Sequence, residues 1–388
     1  MLAEFDLELY FAKWEFNAKY MLGSSDSESM KMKDLLSLAD DECINLWNDL
    51  SCSYTESDGM QLLREEIAKN YDGLNYQNIF CFAGAEEGIY TAMRTMLNKD
   101  DHAVIITPCY QSLMSVADAI CGSVTCVDLE LNKNKDEWKL NLSTFESSIK
   151  SNTKMVIMNF PHNPTGALLT KDEQLKVVEI CRKHNIILFF DEVYRGIEDS
   201  SDLQLPPLAS IYENGLSLGV MSKALGLAGL RIGWIASQSM ELINKLAGYK
   251  HYLSICNSGP SEILSLIALR NQKQILKKNF NIVQNNLKIL SSFMEKHGDI
   301  FEFIPPKGGC CGLMKYKGSK YNDNDDNNGD WLKHSEYIVK NHSVLTIPGV
   351  FFSFGDISYK SSFRLGIGRE NFPEALAIFE EAVQVYLR

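Results

Sequence analysis

Long apolar runs are missing from this chain of 388 residues. No stretch approaches the ~18 consecutive apolar residues that a membrane-spanning helix needs. Excess positive charge is missing too. Lys and Arg total 38 against 50 Asp and Glu, a net charge of -12. That balance favours solubility and argues against a partner held through a phosphate backbone. The first residues, Met-Leu-Ala-Glu-Phe-Asp-Leu-Glu-Leu-Tyr, lack the basic start of a secretion signal. Ten cysteines are present without a C-x-x-C pair, so they read as reduced, mostly buried thiols of a cytosolic protein. Cys310 and Cys311 are adjacent, and sequence neighbours rarely meet disulfide geometry. The acidic, Asn-rich stretch 322–330 lacks the glutamate of a calcium loop: with Gly329 at the glycine position, that glutamate would fall on Ser335. It reads as a solvated loop.

The hydrophobic content of 45% is ordinary for a globular protein, and the length favours two domains. Against that background one stretch stands out: Gly219-Val220-Met221-Ser222-Lys223-Ala224-Leu225-Gly226-Leu227-Ala228-Gly229-Leu230-Arg231-Ile232-Gly233-Trp234. A solvated face would carry several charges; this one carries Lys223 and Arg231. A lysine among apolar residues loses hydration, so its pKa falls and its amine becomes nucleophilic, as a Schiff-base lysine requires. An arginine stays charged and suits a phosphate, and the glycines let backbone approach closely. A buried loop with two salt-bridged cations is the competing reading.

Two further stretches carry unusual chemistry. Asn159-Phe160-Pro161-His162-Asn163-Pro164-Thr165-Gly166 follows an apolar strand with a rigid turn. X-Pro bonds are where cis peptides occur, and the turn holds Asn163 where its amide can bond an oxygen. His162 reads as loop scaffolding rather than as an acid–base residue. The apolar strand 186–190 ends in Asp191-Glu192-Val193-Tyr194. An acid at the carboxyl end of a buried strand lies where open α/β sheets bind ligands; a helix N-cap is the alternative.

Elsewhere strand and helix patterns alternate. Residues 1–22 form an amphipathic helix or arm, too greasy to stand alone and expected to cover another part of the protein or a partner subunit. Ser24 to Ser29 reads as a break and a helix start. The strand at 79–82 turns through Ala83–Gly88 into a helix over 89–97. Its N-terminus offers free N–H groups to a phosphate, or is a plain turn. Glu86 and Glu87 would repel a phosphate unless their side chains point away, which leaves the contact to the backbone of Ala85 and Glu86. The strand 102–107 ends at Pro108-Cys109-Tyr110, and an aromatic there can stack on a planar ring. Strands are expected at 123–129 and 155–159, with helices over 142–149, 175–184, 240–255 and 261–293. The last is too long for one ordinary helix and should break near Asn271. Strands at 310–315, 344–349 and 362–367 precede a final helix over 372–386. Arg364 interrupts an apolar strand; its fork suits a carboxylate, and a structural salt bridge fits equally.

These motifs define a resemblance. Ser222-Lys223, the glycine-rich run and Gly229-Leu230-Arg231-Ile232-Gly233-Trp234 are similar to the lysine segment of fold type I pyridoxal-phosphate enzymes. Residues 159–166 match N-x-P-x-N-P-T-G, 191–194 match D-E-x-Y, and Tyr54 to Arg64 fits the looser Y-x-x-x-x-G-x-x-x-L-R. Over roughly Tyr54 to Gly368 the chain resembles the class I/II aminotransferases of the aspartate aminotransferase family.

The resemblance implies an α/β fold with a large domain built on a mostly parallel seven-stranded sheet and a small α/β domain from both chain ends. The expected division is 1–47 for the arm and part of the small domain, 48–275 for the large domain and 276–388 for the small one. It implies pyridoxal 5'-phosphate bound as an aldimine on Lys223, which then serves as the base for the α-proton. Asp191 would keep the pyridine nitrogen protonated, Asn163 and Tyr194 would hold the ring oxygen, and Tyr110 would stack. Ala85, Glu86, Ser222 and Arg231 would face the phosphate, with Tyr54 reaching it from the partner subunit. Arg364, beside Asn163, would take the substrate carboxylate. Family members often carry Ser or Thr where this chain has Val220; Ser222 stands ready to supply a hydroxyl. The implied function is amino transfer between an L-amino acid and a 2-oxo acid by a cytoplasmic homodimer with shared sites, without metal, nucleic acid or membrane. A lyase or cyclase of the capreomycidine-synthase kind is the alternative within the fold. A non-catalytic protein that kept the fold is disfavoured by the intact Lys223, Asp191 and Arg364.

Overall fold

Short runs rich in Val, Ile, Leu and Phe build the larger sheet in the computed structural model, which describes residues 2–317, 330–353 and 356–387. The acidic residues 322–329, read above as a solvated loop, lie outside the described residues. The strands are β1 (Ile79–Phe82), β2 (His102–Thr107), β3 (Ser123–Leu131), β4 (Trp138–Leu140), β5 (Thr153–Asn159), β6 (Ile187–Asp191), β7 (Gly215–Val220) and β8 (Gly233–Ala236). Their order is β1-β8-β7-β6-β5-β2-β3-β4. From β7 through β3 neighbours run parallel. β8 is antiparallel to both β7 and β1.

The sheet has eight strands where seven were expected. The additional one is β4, which folds back antiparallel on the end of β3, pairing Leu129 with Leu140 and Leu131 with Trp138. The turn between them passes through Lys135 at φ 58. This strand has three residues, its two apolar ones separated by Lys139, so there was no apolar run to register.

Successive residues of the parallel strands point to opposite faces. Val104, Ile106, Val156, Met158, Leu188 and Phe190 enter one apolar layer, and Ala103, Ile105, Met155, Ile157 and Phe189 the other. Both faces are therefore covered, as a parallel sheet requires. Each such Val, Ile or Phe contributes about 1.5–3 kcal/mol of burial.

A second, wholly antiparallel sheet joins β9 (Phe301–Phe303), β10 (Cys311–Tyr316), β11 (Ile347–Pro348) and β12 (Ser362–Gly366) in the order β11-β12-β10-β9. The strand expected over 344–349 shrinks to two residues. The N-terminal segment is stitched onto this sheet: Tyr20 N donates to Ser343 O, Leu345 N to Tyr20 O, and Gly366 N to Leu22 O. The smaller unit thus draws on both chain ends. The long helical stretch breaks where expected, with helices Gly259–Arg270 and Gln272–His297 meeting at Asn271. The Asn271 side chain donates to Ile267 O and Leu38 O.

Candidate active site

The carboxyl ends of β1, β2, β5, β6 and β7 surround a cavity of about 550 Å³, the usual place and size for a ligand in an open α/β sheet. Asn159 and Asp191 end their strands as direct register partners, and Asn159 Nδ2 donates to Asp191 O at 2.9 Å. Asn163 N donates back to Asn159 Oδ1 at 2.7 Å. The 159–166 turn contains cis bonds at Phe160-Pro161 and Asn163-Pro164. His162 is buried in it, hydrogen-bonded to Thr165 Oγ1 at 2.8 Å, and burial pushes its pKa down to about 3. A neutral, enclosed imidazole fits the scaffold reading.

Lys223, Asp191, Tyr194, Asn163, Tyr110, Ala85, Glu86, Ser222, Arg231 and Arg364 all line this cavity. The sequence-based set converges on one place. Lys223 is half-buried on the cavity wall rather than sunk in apolar surroundings, and its amine lies 3.3 Å from Ser25 Oγ. Asp191 is 5% exposed. Burial lifts its pKa to about 7, against the lowering effects of the Val193 N–H bond and of Lys223. The Tyr194 hydroxyl is buried without a hydrogen-bond partner, and burial pushes it well above the usual tyrosine value. Arg364, 1% exposed, donates to Gly23 O at 3.0 Å and Asn163 Oδ1 at 3.2 Å, neither of them a carboxylate.

The two adjacent acids part ways. Glu87 turns away, accepting from Ala83 N at 2.6 Å and Ser254 N at 3.1 Å. Glu86 does not: its side chain lines the cavity, Oε2 has no partner, and burial lifts its pKa to about 7. The condition that the side chains point away is therefore met by Glu87 only, because the helix turn sends successive side chains in different directions.

Helix Ala85–Met96 begins at Gly84 with no side-chain cap, leaving its first N–H groups free. Gly84 has φ 96, and a Cβ there would meet Arg231 Nη2 at 2.5 Å. The missing side chain is what lets the guanidinium lie over this turn. Arg231 itself adopts a left-handed backbone.

Tyr54 is not in this cavity; it is 85% exposed on the loop before helix Gln61–Ala68. The arm, in contrast, is. Helix Asp6–Trp14 brings Phe5, Glu8, Phe11 and Glu15 to the cavity. Phe5 lies 5.5 Å from the Tyr110 ring, and the Tyr110 hydroxyl donates to Glu8 Oε1 at 2.8 Å. Leu7 and Tyr10 anchor the helix in an apolar cluster with Val339, Leu345, Ile347 and Phe352. The arm's greasy face was the signal; which surface it covers needed the fold. Ser25 was missed, because Ser24 to Ser29 reads as a break and nothing local ties it to Lys223.

The donor set fits pyridoxal phosphate. An amine, a buried carboxylate and an unpartnered phenol face one space, and an uncapped helix start with an arginine lies beside them. The chain belongs to the class I and II aminotransferases, whose family profile matches residues 28–377. It is a pyridoxal-phosphate-dependent aminotransferase of fold type I, acting on an amino acid and a 2-oxo acid. Relatives differ in their chemistry. The probable kynurenine–oxoglutarate transaminase of Saccharomyces cerevisiae is 27% identical over 319 residues, 76% of this chain and 71% of that one. Capreomycidine synthase of Streptomyces vinaceus is 24% identical over 310 residues, 79% and 74% of the two chains. The crystal structure of an aminotransferase from Streptococcus suis superposes with a TM-score of 0.89 at 22% identity, covering 100% of this chain and 99% of that one.

Proposed function

We propose that the ten cavity residues divide the work of amino transfer as follows. Lys223 carries the cofactor and moves the α-proton. When bound, pyridoxal phosphate supplies the electron sink that makes that proton removable. Asp191 faces the ring nitrogen and holds its proton; Asn163 and Tyr194 hold the ring oxygen; Tyr110 covers one ring face. The N–H groups of Ala85 and Glu86, the Ser222 hydroxyl and Arg231 take the phosphate; the Glu86 carboxyl, which does not point away, is tolerated there because burial favours its neutral form. Arg364, steadied by Asn163, takes the substrate α-carboxylate in a bidentate grip. The arm, with Phe5 and Glu8 on Tyr110, forms the wall that meets the substrate's side chain and excludes water.

One observation carries this reading: Lys223, Asp191 and the non-carboxylate-paired Arg364 converge on a single cavity at the strand ends. Reductive trapping tests it. Borohydride treatment should leave the cofactor mass on the peptide containing Lys223, and Lys223→Ala should lose both the trapping and turnover while still binding cofactor. Cofactor mass on another lysine would refute the assignment.

The same proposal extends to the assembly. Tyr54 serves the partner subunit's phosphate in a homodimer with shared sites, and the chain divides into 1–47 as the arm and part of the small domain, 48–275 as the large domain and 276–388 as the small one. Among the described residues no helix is long and apolar enough to cross a membrane. The ten cysteines are all free, which supports a cytoplasmic site. Elimination or ring closure on a substituted amino acid is the second reading, favoured by the similarity to capreomycidine synthase.

A further inference from the structure

Lys250 ends helix Met240–Lys250 and is fully buried, yet it does not line the cavity and plays no part in the chemistry above. Its three N–H donors are all used: Ser57 O at 3.0 Å, Cys81 O at 2.8 Å and Asn257 Oδ1 at 2.9 Å. The Phe80 and Phe82 rings lie 5.4 and 5.8 Å from its nitrogen. Burial pushes the amine below the ordinary lysine value, and Glu87 and Glu262 pull it back up.

The three acceptors belong to three segments: the loop 51–60, the end of β1 that leads into the Gly84 turn, and the loop 251–258. The flanking carboxylates complete the join. Glu262 accepts from Asn257 Nδ2 at 2.9 Å and Met60 N at 3.3 Å, while Glu87 holds Ala83 N and Ser254 N. Thr55 Oγ1 donates to Asn257 O at 3.0 Å, and Cys81 N to Asp58 O at 2.9 Å. Between residues 51 and 60 only Gly59 is buried and Met60 alone packs on the core, so hydrogen bonds do most of the placing of this loop; Arg64 adds to them, its Nε donating to Gly59 O at 2.8 Å and its Nη2 to Glu56 Oε2 at 3.1 Å. Tyr54 projects from it into solvent.

A buried ammonium is costly, and an apolar residue would fill the same space without desolvating a charge. What the ammonium adds is direction: three fixed acceptors drawn to one point. We propose that Lys250 is a positioning residue that fixes the Tyr54 loop for the partner subunit's cofactor phosphate, and so acts across the interface. The proposal rests on the shared-site reading given above.

The test is complementation between differently tagged subunits of the holoenzyme, with Lys250→Met, Tyr54→Ala and Lys223→Ala. The Lys250→Met homodimer should lose activity and hold cofactor about tenfold or more weakly, as expected when a hydrogen bond to a charged phosphate is lost. Mixed with Lys223→Ala subunits, it should regain about half of wild-type activity, because one of the two sites then carries neither lesion. The Tyr54→Ala and Lys223→Ala mixture is the control and should recover to the same extent. Recovery in the control but not with Lys250→Met would overturn the proposal, since Lys250 would then serve its own subunit. No recovery in a confirmed control dimer would remove the shared-site reading, and the proposal with it. A Lys250→Met homodimer with wild-type turnover and cofactor affinity would also overturn it. Should Lys250→Met not fold, Lys250→Met with Glu262→Gln removes both charges together and is scored in the same way. Failure of both to fold would make Lys250 a structural residue and refute the proposal.

Discussion

At the scale of single residues, Asp191 is the clearest case of a side chain held at a cost to stability. Its ordinary carboxyl value of 3.8 rises to about 7 through burial. An acid raised in this way contributes stability that is fully present below 3.8 and lost as pH rises through about 7. Glu86, lifted from 4.5 to about 7, adds to the same trend. The cofactor-free protein should therefore unfold at a lower urea midpoint at about pH 8 than at about pH 5, and Asp191→Asn should flatten part of that slope. The same substitution should lower turnover by more than ~10²-fold, because a neutral amide no longer stabilises the charge on the ring nitrogen. Near-normal turnover would reduce Asp191 to a cap on the turn at Val193. Arg364→Lys keeps the charge and loses the fork. Losing a charge-assisted hydrogen bond costs about 1.5–3 kcal/mol, so KM for the amino acid should rise roughly tenfold or more with cofactor content unchanged. A fall in cofactor affinity instead would make Arg364 a structural residue.

At the scale of elements, legibility follows the range of the signal. The parallel strands were readable because both faces are buried and the apolar run is continuous, as in β2 and β6. The turn 159–166 and the Asp191–Tyr194 step were readable because a rigid or charged residue directly follows such a strand. The break at Asn271 was readable from length alone. β4 escaped because its three residues, only Leu140 of them buried, leave no run to detect. Ser25 and Lys250 escaped because their partners lie far along the chain: Ser25 meets Lys223, and Lys250 meets Ser57 and Cys81. The arm was half legible. Its amphipathic face requires a cover, but only the fold shows that Leu7 and Tyr10 dock on the smaller unit and so bring Phe5 and Glu8 to Tyr110. Removing those two contacts while keeping the anchors tests the arm. Phe5→Ala with Glu8→Ala should raise KM for the amino acid, leave cofactor content alone and shift stability by no more than about 1 kcal/mol, as for partly exposed side chains. An unchanged KM would show that the arm only packs and does not face the substrate.

At the scale of the whole molecule, two sheets meet around one cavity. The larger one presents Lys223 and Asp191, and the smaller one presents Arg364 from β12 with the arm beside it. With the roles proposed above, that division would place the cofactor chemistry on one unit and substrate recognition on the other, so that binding of the correct amino acid would complete the site. It also explains why the fold alone does not choose between amino transfer and elimination: both begin with removal of the same proton. The measurement that decides is product identification. The purified holoenzyme is incubated with each common amino acid, with and without a 2-oxo acid acceptor, and the products are identified by mass spectrometry. Amino transfer predicts one 2-oxo acid formed for each amino group delivered to the acceptor, with steady turnover only when the acceptor is present. Ammonia, or an unsaturated or cyclised product formed without an acceptor, would contradict it.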